Sequence, residues 1–299
     1  YDDYLATFKF RVLVKKLSFD YLCKSLLDSG LKNGDTIMVQ SSLLHIGPID
    51  DIKNRDDTCE FYYRAFREVI GKCGTILVHT PFESYGRFGE VFDTIKSPSS
   101  AGIFSEWIRK QDHCIRSIHP IVSIAGIGPL AEEICGAPHF SGFARTSPWG
   151  KMLDHNVHLI TLGLGLSKGL SFLHFIEAQY GVPYQYNKIF STPVEKNGKQ
   201  INGSFTMSVR YLDFNVQYDF ASFEEQAIKE GVDFVSNFSR GLLFQKIKAI
   251  DAFNLGSRML TENIFSFLTK TPAFRSGEIP LDGNTGDMYL VYNQPRKSL

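Results

Sequence analysis

The chain has 299 residues, of which 43% are hydrophobic, and its 32 basic residues balance 32 acidic ones. This length suits one large domain or two small ones with a sizeable core. The neutral charge argues against a nucleic-acid binder, which is usually basic. No apolar run approaches the ~18 residues that a membrane helix needs, so we expect no membrane span.

Helices and strands alternate through the first half of the chain. Capping residues and hydrophobic spacing predict helices over 18–29, 57–71, 100–110, 129–135 and 147–154, and strands at 36–40, 75–79, 117–128 and 159–162. The segment 83–98 has no clear period, and we predict a long functional loop there. The alternation predicts an α/β fold with a substantially parallel sheet.

The pattern changes after Pro183. Asn197-Gly198 is a strong hairpin signal within 192–200, and strands are predicted at 201–211 and 215–218. We therefore predict a single domain over 1–299, with 184–221 as a β-rich insertion that adds an antiparallel hairpin region. Beyond it, a capping box at Ser222 and Glu225 opens a helix to Gly231, and 233–238 and 251–269 are also predicted to be helical.

Five cysteines are present, an odd number without a Cys-x-x-Cys pair. This argues against a disulfide framework and a structural zinc site, and it favours a reducing cytoplasmic location. Metal catalysis is not expected either, because the His-x-x-Glu at 174–177 lacks the His-Glu-x-x-His pattern of zinc enzymes.

The stretch from 159 to 186 carries the strongest functional signal. A buried strand leads into a turn with Gly163, Gly165 and Gly169, and a helix follows over 170–180. The helix spacing i, i+3, i+6 places three polar side chains on one face: Ser171, His174 and Glu177. A hydroxyl, an imidazole and a carboxylate placed together after a strand suit proton-transfer chemistry, with the carboxylate fixing the histidine tautomer.

Two other interpretations stay open. The turn around Ser167 matches the Gly-x-Ser-x-Gly elbow of serine hydrolases and thioesterases. Those enzymes place their histidine after the acid, whereas the last histidine here, His174, comes only seven residues after Ser167. A non-catalytic protein that binds coenzyme A or a sugar is the third possibility.

Other polar positions can bind a ligand. Ser41-Ser42 follows a strand, and Ser147-Pro148 starts a helix, so backbone N–H groups and hydroxyls at both places suit phosphates or the arm of coenzyme A. His119, which precedes Pro120, either lines the pocket or has a structural role.

Five motifs in this order resemble the aminoglycoside 3-N-acetyltransferase family, also called antibiotic N-acetyltransferases. They are V-Q-S-S-L-L-H-I-G at 39–47, H-T-P-F at 79–82, H-P-I-V-S-I-A-G-I-G at 119–128, S-P-W-G-K-M at 147–152, and L-I-T-L-G-L-G at 159–165 followed by Ser171, His174 and Glu177. Gln40 stands where the family usually has histidine. The resemblance covers about 31–186 well and extends loosely through 268.

The resemblance implies acetyl-CoA-dependent acetylation of an amine by direct attack in a ternary complex. His174 is then the general base, Ser171 takes the family's threonine position beside the thioester, and Glu177 orients the histidine or holds the amine. It also implies a central mixed sheet flanked by helices, distinct from the GNAT acetyltransferase fold. The residues expected at coenzyme A are Ser41, Ser42, Leu43, Ser147, Pro148, Gly163 and Gly165.

The acceptor is expected to be a small amine-bearing molecule, an amino sugar. Aminoglycosides are polycations, whereas this chain is neutral and carries Lys168 beside the catalytic helix. These departures favour a nucleotide-linked amino sugar of surface-polysaccharide synthesis over an aminoglycoside of antibiotic resistance. Acceptor contacts are predicted at Glu83, Tyr85 and His119, and the oligomeric state is left open, a homodimer included.

Overall fold

The computed structural model describes residues 17–46, 49, 52, 54–235 and 244–278. Its α-helices are α1 Phe19–Asp28, α2 Arg55–Ile70, α3 Glu83–Phe88, α4 Ile103–Arg109, α5 Pro148–Asp154, α6 Leu166–Gly169, α7 Phe172–Tyr180, α8 Ala221–Glu230 and α9 Ala249–Glu262. Its strands are β1 Thr36–Ser41, β2 Thr75–His79, β3 Phe92–Asp93, β4 Ile115–Arg116, β5 Ile124–Ile127, β6 His158–Leu162, β7 Gln185–Phe190, β8 Val194–Lys196, β9 Lys199–Ile201, β10 Phe205–Arg210, β11 Asp233–Val235 and β12 Phe244–Lys248. A 3₁₀ turn, Leu43–His45, and a π-helical turn, Glu132–Gly136, complete the regular structure of the described ranges.

The main sheet has seven strands in the order β11-β12-β6-β1-β2-β5-β4. Strand β1 lies in the centre and pairs in parallel with β2 on one side and with β6 on the other. The outer pairs are antiparallel, and five of the seven strands run in one direction. The predicted α/β fold with a mixed, largely parallel central sheet is confirmed.

Helices cover both faces of the sheet, because its central strands are apolar on both sides. In β1, Ile37 and Val39 face a cluster with α1, α2 and α4, whereas Met38 faces a second cluster with α5, α7 and α9. This alternation follows from the two-residue period of a strand. The two apolar layers hold the ends of the strands, from which the loops leave, in fixed positions.

The insertion contains β7–β10 in two small sheets. Strands β7 and β10 form an antiparallel pair, and β8 and β9 form a hairpin that pairs with β3. Asn197 and Gly198 adopt φ angles of 54° and 72° at its turn, so the predicted hairpin is confirmed. Phe205 and Val194 are buried in the same cluster as α7, so the insertion packs onto the helical layer.

Several predicted element boundaries differ from the structure. Helix α2 is capped by Asn54, whose side chain accepts from the Asp57 N–H at 2.8 Å. The helix therefore begins at Arg55, two residues before the predicted start at 57. The predicted loop 83–98 contains α3 and β3. The predicted strand 117–128 is shorter, and only Ile124–Ile127 is extended in β5.

The second half shows larger differences. Phe214 and Asn215 adopt positive φ angles of 55° and 65°, which prevents the strand predicted at 215–218. Residues 233–235 form β11 instead of a helix, and 236–238 lie outside the described residues. Ser222 lies inside α8, and α9 ends at Glu262, before the predicted 269.

Candidate active site

The candidate site lies where β1 and β6 end side by side. Gln40 and Ser41 pair with Thr161 and Leu162 on the adjacent parallel strand. The chain leaves β1 toward β2 on one side, while β6 lies on the other side. Ligands of open α/β sheets bind outside the carboxyl ends of strands at such a switch point. The sheet therefore puts the loops after β1 and β6 at the position expected of a binding crevice.

Helix α7 starts beside these strand ends, where we expect the crevice, and it carries the imidazole. The Nδ1 atom of His174 lies 2.8 Å from Oε2 of Glu177, one turn further along the helix. Glu177 is fully buried, whereas the His174 side chain is 31% exposed. The pair thus runs from the protein interior to the crevice, as the i, i+3 spacing predicted.

Two side chains from the start of the insertion hold the Glu177 carboxylate. The Tyr184 hydroxyl donates to Oε1 at 2.7 Å, and the Gln185 amide donates to Oε2 at 3.0 Å. Burial beside this carboxylate raises the pKa of Tyr184, which keeps the phenol in its donating form. With all of these donors directed at it, the carboxylate remains an acceptor, so the proton between it and His174 lies on Nδ1.

The other imidazole nitrogen, Nε2, then carries an unshared electron pair. No described residue hydrogen bonds to Nε2, and the rings of Tyr218 and Phe220 lie 4.7 and 5.4 Å from the imidazole, centre to centre. A neutral imidazole held in this tautomer can accept a proton from a bound amine or hydroxyl. The predicted role of His174 as a general base requires this geometry, and the role itself stays a prediction.

Ser171 lies directly before α7 and contacts the end of β1. The Gln40 amide nitrogen lies 2.7 Å from Ser171 Oγ, and the Ser171 backbone N–H donates to Gln40 Oε1 at 2.9 Å. The three predicted catalytic residues are therefore brought to one end of one helix. Their roles remain predictions.

The loop after β1 contains three of the residues predicted to bind coenzyme A. Ser41, Ser42 and Leu43 are half-buried beside the crevice. Ser42 Oγ lies 2.6 Å from Nδ1 of His45, and the Ser42 N–H donates to the Leu162 carbonyl at 2.8 Å. The Ser42 hydroxyl is thus held in place by a local contact.

Gly163 joins this loop to the end of β6. Its φ of +73° is left-handed, and a Cβ at this position would lie 2.3 Å from the Ser42 carbonyl oxygen. Only glycine allows that approach, so Gly163 fixes the distance between the two loops and is itself buried.

The glycine turn itself is a short helix, α6, rather than an open loop. The Leu166 N–H donates to Gln245 Oε1 at 2.6 Å, and the Ser167 N–H donates to Glu224 Oε2 at 2.9 Å. A Cβ on Gly165 would lie 2.7 Å from the Glu224 carboxylate. Protein side chains thus occupy the backbone donors next to Gly165, one of the residues expected at coenzyme A, and the Glu224 carboxylate lies there as well.

The hydrolase interpretation gains no support from this geometry. Ser167 lies within α6 with an ordinary negative φ, unlike the strained serine of a nucleophile elbow. Across the described ranges, no hydrogen bond joins Ser167 to a histidine, since His174 is bound to Glu177 instead.

The second predicted coenzyme A contact is buried. Pro148 is the first residue of α5, as predicted, but it and Ser147 are both inaccessible to solvent. The Ser147 hydroxyl has no partner among the described atoms. Direct contact with a coenzyme A molecule would therefore require the start of α5 to move.

The three predicted acceptor contacts also have internal partners. His119 is fully buried, and its Nε2 lies 3.0 Å from the Thr206 carbonyl of β10, which ties the insertion to the main body. Tyr85 is 1% exposed and donates to the Thr192 carbonyl at 2.8 Å. Glu83 is half-exposed and paired with Arg87 at 2.6 Å. Packing, rather than acceptor contact, accounts for His119 and Tyr85.

Sequence reasoning missed four side chains that complete the site. They are Gln40, Tyr184, Gln185 and Tyr218. Tyr184, Gln185 and Tyr218 lie in the insertion. The sequence around α7 does not predict which residues of the insertion contact this helix. For Gln40, the available signal was its departure from the family's histidine.

Two further observations concern metals and membranes. Within the described part of the chain, no group of three or more His, Cys, Asp or Glu side chains is arranged to hold a metal ion. No described helix is long and apolar enough to cross a membrane.

Fold and site together define an α/β protein with a hydrogen-bonded histidine–glutamate pair beside the carboxyl ends of its central strands. The chain belongs to the aminoglycoside 3-N-acetyltransferase family, whose model matches residues 38–244. The resemblance read from the five motifs is thereby confirmed.

Over the matched stretches, curated relatives are about a quarter identical to the chain. Aminoglycoside N(3)-acetyltransferase III of Salmonella sp is 26% identical over 181 residues, which are 54% of this chain and 60% of the relative. The protein of that name from Acinetobacter baumannii is 26% identical over 190 residues, or 57% and 64% of the two chains. The matched part thus spans less than two thirds of these relatives.

Solved structures of similar fold cover more of the chain. Apo aminoglycoside acetyltransferase AAC(3)-IVa has a TM-score of 0.69 at 21% identity and covers 85% of this chain and 92% of its own. AAC-IIIb with CoASH has a TM-score of 0.69 at 20% identity, covering 86% and 99%. AAC-VIa bound to sisomicin has a TM-score of 0.66 at 23% identity, covering 83% and 98%. These likenesses establish the fold.

Proposed function

We propose that this chain transfers the acetyl group of acetyl-CoA to an amine of an amino sugar, with His174 as the general base. One observation carries the proposal: the buried Glu177 holds Nδ1 of a half-exposed imidazole, and among the described residues Nε2 has no hydrogen-bond partner. The family supports the reaction, because the relatives above are named aminoglycoside N(3)-acetyltransferases. The bound CoASH of AAC-IIIb supports coenzyme A as the carrier.

The reaction is a direct transfer. The amine nitrogen attacks the thioester carbonyl carbon, the C–N bond forms, and Nε2 of His174 takes the proton that the amine releases. The C–S bond then breaks, and Nε2 of the imidazolium gives this proton to the departing thiolate, so that coenzyme A leaves as the free thiol and His174 is neutral again. Glu177 stabilises the imidazolium formed in between, since it accepts from Nδ1.

The donor side of the crevice is the loop after β1. Ser41, Ser42 and Leu43 have accessible surface there, and Ser171 lies at the start of α7. Lys168 is exposed on α6 and is available to a phosphate of coenzyme A. We therefore assign coenzyme A to the β1 side of α7, with its thioester beside Ser171.

The acceptor side is formed by the insertion. The Tyr218 ring lies against His174, and Phe220 stacks on Tyr218 at 5.3 Å between ring centres. Aromatic faces suit the apolar face of a sugar ring. The names of the relatives favour an aminoglycoside-type acceptor. An acceptor that is not a polycation, such as a nucleotide-linked amino sugar, is the second candidate, because the net charge of the chain is +0 and Lys168 would repel a polycation.

An acceptor screen tests the proposal. Release of the free thiol of coenzyme A is followed with kanamycin-type drugs and with UDP- or dTDP-linked amino sugars. We expect turnover with at least one amine, loss of turnover in His174→Ala, and retention in Ser167→Ala. Loss only in Ser167→Ala would support the hydrolase alternative. Binding of coenzyme A without transfer to any amine would support the non-catalytic one.

A further inference from the structure

The contact between Gln40 and Ser171 has a defined direction. The Ser171 backbone N–H can only donate, so the atom 2.9 Å away must be the amide oxygen of Gln40. The amide nitrogen of Gln40 then faces Ser171 Oγ at 2.7 Å, and it can only donate. The two bonds together therefore determine the orientation of the Gln40 amide.

This direction determines what the serine hydroxyl can do. Because Oγ accepts a hydrogen bond from the Gln40 amide, its own O–H remains available to donate to another acceptor. Ser171 does not use its side chain to cap α7, unlike Ser18 at α1, whose Oγ accepts from the Tyr21 N–H. The Ser171 hydroxyl is thus kept as a donor at the mouth of the crevice.

We propose that Gln40 is a positioning residue that directs the Ser171 O–H toward the sulfur or carbonyl oxygen of the thioester. The inference rests on the proposed acetyl transfer. In that reaction the C–N bond forms, the C–S bond breaks, and negative charge develops first on the carbonyl oxygen and then on sulfur. A hydroxyl with its hydrogen held toward these atoms stabilises the charge without reorganisation.

The substitution Gln40→Glu tests this direction. A carboxylate of the same shape can still accept from the Ser171 N–H, but it cannot donate to Oγ. The serine O–H then donates to the carboxylate and is no longer available to donate to the thioester. We expect kcat to fall ~10²-fold, the typical effect of removing one such donor. The KM for acetyl-CoA should change less than about threefold, because the ground state depends little on this bond.

Two comparisons distinguish positioning from a merely structural role. Ser171→Ala should lower kcat by a similar factor, and the double variant should be no slower than either single one, because both remove the same hydrogen bond. Below roughly pH 5 the introduced carboxyl gains a proton and can donate again. The kcat of Gln40→Glu relative to wild type should therefore rise as the pH falls, whereas that of Ser171→Ala should not.

Gln200→Glu on the exposed strand β9 is the matched control and should have wild-type kcat. Thermal unfolding of each variant establishes that it is folded. An unfolded Gln40→Glu would be replaced by Gln40→His, the residue usual in the family, whose imidazole N–H can donate to Oγ and should keep most of the activity.

The outcomes separate the inference from the proposed function. Active wild type with a folded Gln40→Glu of unchanged kcat, or with additive losses in the double variant, would overturn the inference and leave the acetyl transfer intact. Absence of transfer by the wild type across the acceptor screen would overturn both. The inference is supported if Gln40→Glu, Ser171→Ala and the double variant lose kcat by a similar factor. It also requires that the relative kcat recovers at low pH in Gln40→Glu but not in Ser171→Ala.

Discussion

Replacing Glu177 by glutamine removes one charge and keeps the shape of the side chain. The native carboxylate accepts three hydrogen bonds, from His174, Tyr184 and Gln185. An amide has only one acceptor oxygen, and the 2.7 Å bond from the Tyr184 hydroxyl would retain it. The amide nitrogen would then donate to Nδ1 of His174 and move the imidazole proton to Nε2.

The expected loss follows from that tautomer. With its proton on Nε2, the imidazole cannot accept one from the amine until the pair reorganises. Loss of the orienting carboxylate behind a catalytic histidine costs on the order of 10³–10⁴ in kcat, which is about 4–5.5 kcal/mol of transition-state stabilisation. The KM for acetyl-CoA should stay unchanged, since Glu177 has no exposed surface with which to contact a ligand.

The assay measures thiol release under saturating acetyl-CoA and an acceptor found in the screen, across the pH range. Glu60→Gln, an exposed carboxylate on α2, is the matched control and should match wild type. A folded Glu177→Gln enzyme that keeps kcat within about tenfold of wild type would refute the tautomer argument, because the base would then act without its acid.

The remaining predictions concern stability. Burial lowers the pKa of His119 to about 3 and that of His139 to about 4, from 6.5, so the unfolded chain binds these protons first as the pH falls. Each histidine should cost up to about 1.4 kcal/mol of unfolding free energy between about pH 7.5 and 5.5. Urea unfolding should show a smaller loss in His139→Asn; an equal loss would contradict this cause. Gly163→Ala should destabilise by roughly 2 kcal/mol, because it strains a left-handed φ and forces the Ser42 carbonyl away. Urea unfolding measures the change in stability, and calorimetry measures the binding of acetyl-CoA. Unchanged stability and unchanged binding would show that the two loops adjust freely.

The α/β fold followed from local signals that agree with one another. The strands at 36–40, 75–79 and 159–162 are short apolar runs between turn residues, and each lies within a residue of its observed position. They form the parallel centre of the sheet, buried on both faces, so the pattern is strong. Strand β12, which lies between β11 and β6, was not predicted because Gln245, Lys246 and Lys248 interrupt its apolar pattern, although four of its five residues are buried.

The site was predictable where it lies on one element. His174 and Glu177 are one helical turn apart, so spacing alone brought them together. Contacts from distant parts of the chain were not predictable. Tyr85 looked like part of a polar loop, but it packs against Phe190 of the insertion, and this depends on the position of β7. Ser147 carried a correct cap signature, yet that signature says nothing about its burial.

Gln185 connects the insertion to helix α7, and without this link the sequences of the two regions could change independently. It starts β7, accepts from Ser208 of β10 at 2.7 Å, and donates to both Glu177 and the Tyr218 hydroxyl. A lineage that changes its acceptor by remodelling the insertion must therefore inherit β7 together with α7. The outer strand β9 carries no such constraint, since Lys199 and Gln200 are exposed, whereas Val194 of β8 is buried in the cluster that contains α7. Divergence among such enzymes is expected to be concentrated at β9 and its turn, and a graft that exchanges these residues alone is expected to leave the base in working order.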